Sequence, residues 1–193
     1  DAQVSSGENL AREPRDDLSF AGTAVAAMAP LAGGLTPGCV ERYGALARAS
    51  QMTGALEHLL GESVRFANDR VQFGRPIGKF QAIQHQLAVL ASETAAAGAA
   101  SMAACDKAEA ADSDFHIAVA KARAGEAAGV GAKIAHASHG AIGFTYEHAL
   151  HFATRRLWSW RSEFGAEALW NDRLGQGALD RGADALWSDL TAR

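Results

Sequence analysis

The sequence predicts a mainly α protein, an antiparallel four-helix bundle of long helices behind a short N-terminal β fragment. Three observations carry that prediction. Apolar or small residues recur at Val40, Tyr43, Ala47, Met52, Leu56, Leu60, Val64 and Ala67, three to five apart, close to the spacing of one buried helix face. The pattern breaks in the stretch RVQFGRPIGKFQAIQ (residues 70–84), where Gly74, Pro76 and Gly78 crowd together, and it restarts at Phe80, Ile83, Leu87, Leu90 and Thr94. Two long helices folding back through a Gly/Pro corner make a helical hairpin. Third, a hydrophobic content of 48% with only 4 prolines and abundant alanine favours packed helices over a sheet protein or a disordered chain.

Taken in order, residues 1–16 are polar and carry no folding signal, so they are expected to be extended or loose. Residues 18–25 alternate as one strand does, with no evident partner for its edges. Pro30, Gly33, Gly34, Pro37 and Gly38 make a breaker-rich linker. The chain therefore divides into a β fragment over 1–29, a linker over 30–38 and a helical region over 39–193. Helices are expected over 39–69 and 79–110, both longer than usual, as in bundles where each helix buries a wide stripe. A third should start at Asp112 or Ser113, whose oxygens can cap it, and end near Gly140. A turn over 140–145 leads to a fourth helix over 146–163, closed by Gly165. A last helical stretch over 167–190 is expected to break at Gly175 and Gly177.

At 193 residues the chain can bury a real core. A net charge of -4 gives no general attraction to nucleic acid or to anionic membranes. Cys39 and Cys105 stand far apart in a chain without an apolar leader, so a reduced, cytoplasmic setting is the expectation. No stretch is read as reaching the ~18 uncharged apolar residues of a membrane helix.

Several motifs carry chemistry less well than they first suggest. The pairs His136/His139 and His148/His151 place imidazoles on one helix face, but no Asp, Glu or Cys completes a ligand set at motif spacing. Solvated or capping histidines are the better reading, and no metal is expected. Gly125, Gly129, Gly131 and Lys133 do not give a phosphate-loop spacing, so packing of helices through small residues explains them. Arg155, Arg156, Trp158, Trp160 and Arg161 interleave bases and aromatics, yet Trp160 lies near Leu157 and Ala153 on a helix, which makes it core. No Gly-x-Ser-x-Gly element appears. The residues alone thus lead to a bundle with two polar, glycine-bearing corners. One spans 70–81, with Arg70, Gln72 and Gln81, and the other spans 139–144.

The run Arg70-Val71-Gln72-Phe73-Gly74-Arg75-Pro76-Ile77-Gly78-Lys79-Phe80-Gln81-Ala82-Ile83-Gln84-His85 resembles a corner motif of the acyl-CoA dehydrogenase family. His139-Gly140-Ala141-Ile142-Gly143-Phe144-Thr145, followed by Glu147-His148 and Arg155-Arg156, resembles the later glycine turn of the same family, in the same order. The resemblance implies an N-terminal helical domain, a middle β-domain and a C-terminal helical bundle that drives tetramer assembly. On that basis residues 1–29 are the tail of the β-domain, and the sequence is expected to be the C-terminal part of a longer product.

The same resemblance implies FAD as cofactor, an acyl-CoA substrate and an electron-accepting flavoprotein. It also implies assembly as a homo-oligomer, dimer or tetramer, or as a mixed oligomer with a related subunit. It assigns Arg70, Gln72, Phe73, Gln81, Gly140 and Ala141 to the adenosine and pyrophosphate end of a flavin held mainly by a neighbouring subunit. An arginine fork suits pyrophosphate, and a glycine lets backbone approach it. The family's glutamine before the second corner is Ala137 here. Its reaction needs a carboxylate to take the α-proton of an acyl thioester while a β-hydride leaves. In many members that glutamate stands in a Tyr-Glu-Gly-Thr turn. The turn here reads Glu163-Phe164-Gly165-Ala166, so Phe164 takes the glutamate's place and Glu163 comes one residue early. Members with the base in the first long helix align it at Gly44, with Glu41 three residues before. Three readings follow: a dehydrogenase using Glu163 as base, a cofactor-supporting subunit without a base in a mixed oligomer, and an interaction bundle without flavin.

Overall fold

The structure is a computed structural model that describes residues 2–31 and 35–191. Gly33 and Gly34 of the expected linker lie outside the described residues. Two short strands open the chain, β1 (Gln3–Ser5) and β2 (Asp17–Ser19), paired antiparallel with Val4 opposite Leu18. Both expectations for this region need correction. The strand at 18–25 is shorter than predicted, and its partner is the segment read as loose. What fixes that segment is polar and long-range, as described below, and leaves no periodic trace.

Three long helices build the body. Helix α1 (Cys39–Asp69) begins right after Pro37-Gly38 and ends at Arg70, which turns to extended backbone. Helix α2 (Gln81–Asp106) and helix α3 (Ser113–His139) follow, each packed against the other and against α1. Helix α4 (Leu150–Ser162) is short and lies against α1 and α3, while α5 (Glu167–Arg181) lies against α3 and α6 (Ala183–Thr191) against α5. The mainly α class holds. The arrangement is three long helices with shorter ones added, not four long equals.

The core runs along these contacts. Met52, Leu56 and Leu59 of α1 meet Leu90 of α2 and Leu157 of α4, all fully buried. Each such leucine contributes roughly 1.5–3 kcal/mol. Helix α3 is the central element because its buried face is alanine and glycine. A Cβ at Gly131 would stand 2.5 Å from Leu56 and 3.1 Å from Leu90. Small residues let the helices close on one another, as expected for Gly125, Gly129 and Gly131.

Several boundaries moved for identifiable reasons. Asp112 makes no side-chain cap, and its Oδ2 instead pairs with His116 Nε2 at 3.2 Å. The last helical stretch breaks at Gly182, with φ 82°, while Gly175 and Gly177 stay within α5. A helical glycine costs about 1 kcal/mol and does not by itself end a helix, whereas a left-handed residue does. The expectation that no segment is apolar enough to span a membrane fails for α2, which qualifies by length and composition. Its Leu90, Thr94, Ala97, Ser101 and Ala104 are buried in the bundle.

Candidate functional site

The corner between α1 and α2 is a minimal hairpin. β3 (Val71–Gln72) pairs with β4 (Arg75–Pro76), and Phe73 and Gly74 turn between them with φ 53° and 77°. Positive φ at both central residues matches the twist of a hairpin. Glycine adopts it freely, but phenylalanine does so at a cost of about 1–2 kcal/mol. Phe73 is also 90% exposed, touching Phe80 edge-on with ring centroids 6.0 Å apart. A strained, exposed aromatic at a corner is a feature that function explains better than stability.

This hairpin and the second corner converge on one groove of about 620 Å³. Arg70, Gln72 and Phe73 line it from one side, and Ala137, Gly140 and Ala141 from the other. Five of the six predicted corner residues are thus brought together across 70 positions of chain. The sixth, Gln81, opens α2 as an exposed residue and does not line the groove. Gly140 ends α3 with φ 63°, and a Cβ there would meet nothing within 4 Å, so its backbone is open to a ligand. Among the described residues Arg70 joins no ion pair, whereas Arg75 stacks over Phe80 at 4.2 Å.

The histidines divide. His148 caps the start of α4, accepting from Leu150 N at 3.2 Å, as expected. His136 is half-buried, with Nε2 3.1 Å from Thr154 Oγ1. His139 is buried, donates from Nδ1 to Ala135 O at 2.8 Å and stacks on Phe66 at 4.4 Å, lining the groove floor. Burial pushes its imidazole below the usual histidine range, against the pull of the Ala135 carbonyl. Its place beside Ala132 and Ala135 on the buried stripe was the signal that pointed inward. Among the described residues no cluster of three or more His, Cys, Asp or Glu stands ready for a metal.

Glu163, the candidate base, lies outside that groove and at the end of α4. Its carboxylate accepts from Arg48 Nε at 2.6 Å, Arg15 Nη2 at 2.8 Å and Asn9 Nδ2 at 3.1 Å. Burial alone would raise its pKa, but the bonds from Asn9 and Arg15 and the charges of Arg48 and Arg15 hold it below the usual carboxylate range. Glu13 completes the network, accepting from Trp160 Nε1 at 2.9 Å and Arg156 Nε at 3.2 Å. Its carboxyl is lowered to about 2: burial opposes that direction, and bonds from Asn9, Trp160 and Arg156 overcome it. Sequence reasoning missed this network because its partners lie about 150 positions apart. Trp160 is core, as expected, with its indole N–H satisfied by Glu13.

Phe164 and Gly44, the two positions that the resemblance aligns with a base, also meet. The Phe164 ring sits on Gly44, where any Cβ would collide with it, and Glu41 is paired with Arg173 at 3.0 Å. Phe164 and Gly165 are both left-handed, with φ 55° and 92°.

Fold and groove define a helical domain with one groove between its two glycine-bearing corners. Residues 42–177 match the family model described as acyl-CoA dehydrogenase, C-terminal domain. The chain belongs to the acyl-CoA dehydrogenase family. It is 39% identical over 120 residues to the acyl-CoA dehydrogenase IpdE2 of Mycobacterium tuberculosis, covering 62% of this chain and 36% of that relative. The chain thus spans about a third of the length of that relative. Among solved structures, the ChsE4-ChsE5 complex from M. tuberculosis superposes with a TM-score of 0.88 at 23% identity, covering 94% of this chain and 50% of that chain. Butyryl-CoA dehydrogenase from Megasphaera elsdenii gives 0.68 at 27% identity, covering 72% and 37%.

Proposed function

We propose that this chain is the C-terminal part of an acyl-CoA dehydrogenase subunit that supports a flavin site at its corner groove and carries no base of its own. In this reading it works in a mixed oligomer with a related, base-bearing subunit. The observation that carries the reading is the pair of family base positions, Phe164 seated on Gly44, with no carboxylate at either. Glu163, the nearest carboxylate in sequence, is held by two arginines, and a carboxylate stabilised in its ionised form is a poor proton acceptor near neutral pH. The ChsE4-ChsE5 neighbour is itself a complex, which fits an assembly of unlike subunits.

The groove suits the adenosine and pyrophosphate end of FAD. Arg70 offers an unpaired fork for phosphate, Phe73 a flat apolar wall, and Gly140 and Ala141 a backbone that a ligand can approach. Gln72 adds a side-chain amide, while Ala137 offers none. FAD would supply an acceptor for the β-hydride of an acyl-CoA thioester. This chain's share of the chemistry is to bind and orient, leaving proton abstraction to the related subunit. Electrons would pass on to an acceptor flavoprotein.

The test is dye-coupled oxidation of saturated acyl-CoA thioesters by the full-length product, alone and assembled with a base-bearing relative. Turnover only in the mixed assembly supports the proposal. Turnover by the homo-oligomer that is abolished in Glu163→Gln would return the base to Glu163 and overturn it.

A further inference from the structure

Lys121 is fully buried at 0% exposure in α3, and the proposed chemistry gives it no task. Its Nζ donates to Arg161 O at 2.9 Å and Gly165 O at 2.6 Å. The first acceptor is among the last carbonyls of α4, which have no partner within the helix. The second belongs to the turn that follows. One ammonium therefore ties a helix end to a turn. Beside it, Trp170 Nε1 donates to Phe164 O at 3.0 Å, so two successive carbonyls of the turn are held by two side chains from different helices. A Cβ at Gly165 would stand 2.8 Å from that same indole nitrogen. Held this closely, the turn keeps a left-handed phenylalanine that would otherwise relax.

We infer that Lys121 is a positioning residue that, with Trp170, clamps the 163–166 turn through its main chain so that the Phe164 ring stays seated on Gly44. An apolar side chain of similar length would fill the same space without desolvating a charge, and replacing buried ions by such residues is often neutral or stabilising. The two main-chain acceptors account for the ammonium. Burial brings its pKa down to about 8, with the carboxylates of Glu167 and Glu163 pulling the other way. The inference rests on the proposed function only in taking this turn to face the reaction. The test uses neither flavin nor substrate, so it fails or succeeds separately.

The experiment is a double-mutant cycle in the full chain. Gly44→Ala drives a Cβ into the Phe164 ring. With the turn clamped, each kcal/mol of that strain lowers the unfolding midpoint by about 2–4 °C. In Lys121→Met, where the turn can yield, the same substitution lowers the midpoint by less than half as much. Amides of residues 163–167 also exchange with deuterium on the order of tenfold faster in Lys121→Met, while α3 keeps its rates. If Lys121→Met does not fold, Trp170→Phe replaces it in both measurements, since it removes the other donor and keeps a ring. Additive midpoint shifts, or exchange rising along α3 as much as in the turn, would make Lys121 ordinary core and overturn the inference.

Discussion

Arg48 of α1 and Glu163 at the end of α4 form an ion pair at 2.6 Å, both side chains less than one-fifth exposed. The pair sits beside Trp160, whose ring lies under the Arg48 guanidinium at 5.2 Å. Arg15 reaches the other carboxylate oxygen from the N-terminal segment. Glu163 thereby joins three parts of the chain, which is a structural task that a mobile catalytic base does not have.

Breaking that pair from one side should be costly. Arg48→Met leaves Glu163 partly buried with one cation fewer, and the expected loss is about 1–3 kcal/mol, below the ~3–5 kcal/mol of a fully buried pair because Arg15 remains. Urea unfolding of Arg48→Met, Glu163→Gln and the double variant measures it. The double variant should lose less than the sum of the singles, and strict additivity would mean that the two residues do not depend on each other.

Acid should release the N-terminal segment before it unfolds the bundle. Glu13 has a folded pKa of about 2 against an ordinary carboxylate value of 4.5. A depressed carboxylate contributes stability that is complete above its unfolded pKa and lost as pH falls through the folded one. The window is thus from about 4.5 down to about 2. Because Trp160 donates to Glu13, its fluorescence should change across that window in the wild type. Glu13→Gln should show the released signal already at neutral pH. A flat titration in the wild type would remove Glu13 from the role.

What the sequence made legible follows from its punctuation. Helix α1 runs over the predicted 39–69, bounded by Pro37-Gly38 and by Arg70. Helix α3 ends at Gly140, which takes the left-handed conformation glycine permits. The corner groove was legible only through resemblance, since nothing in the periodicity of Arg70 or Gly140 brings them together. The network of Asn9, Glu13, Arg15 and Glu163 was not legible at all. Polar contacts across 150 positions leave no spacing to read, and a segment held by them looks like any other polar segment. Gln81 opens α2 as an exposed residue and is absent from the groove lining, although its neighbours Phe80 and Ile83 belong to it.

Self-association should proceed through α2. Val89 and Met102 are exposed on it, 47% and 69%, between outward-facing alanines, and an apolar helix face of that length is rarely left to water. Light scattering at tens of micromolar should show a species larger than a monomer. Val89→Lys with Met102→Glu should shift it toward the monomer, and a wild-type monomer would exclude the interface.

Arg70 and Arg75 stand five residues apart in one hairpin, yet they should differ sharply in holding flavin in the full-length product. Arg70 lines the groove without an acidic partner, whereas Arg75 is engaged with the Phe80 ring. Losing a charge-assisted contact to phosphate costs ~1.5–3 kcal/mol, which is roughly a ten- to hundredfold weaker hold. Flavin content after gel filtration should fall in Arg70→Ala and stay near wild type in Arg75→Ala. Equal retention would dissolve the assignment of the groove.

The 193-residue chain by itself should hold no flavin with useful affinity. Its groove is lined by one hairpin and one helix end, and the proposed function gives it only the adenosine and pyrophosphate end of the cofactor. The entropic cost of fixing the whole cofactor is nearly undiminished when only one end is held, while the favourable contacts fall with the missing part of the site. Among those contacts the side-chain amide absent at Ala137 removes one more. Titration of FAD into the purified chain, followed by flavin fluorescence, decides the matter. No saturable change up to about 100 μM, where binding is worth roughly 5–6 kcal/mol, is the expected result. Saturation at low micromolar FAD would mean that this domain holds the cofactor alone, and the division of labour between subunits would have to be redrawn around it.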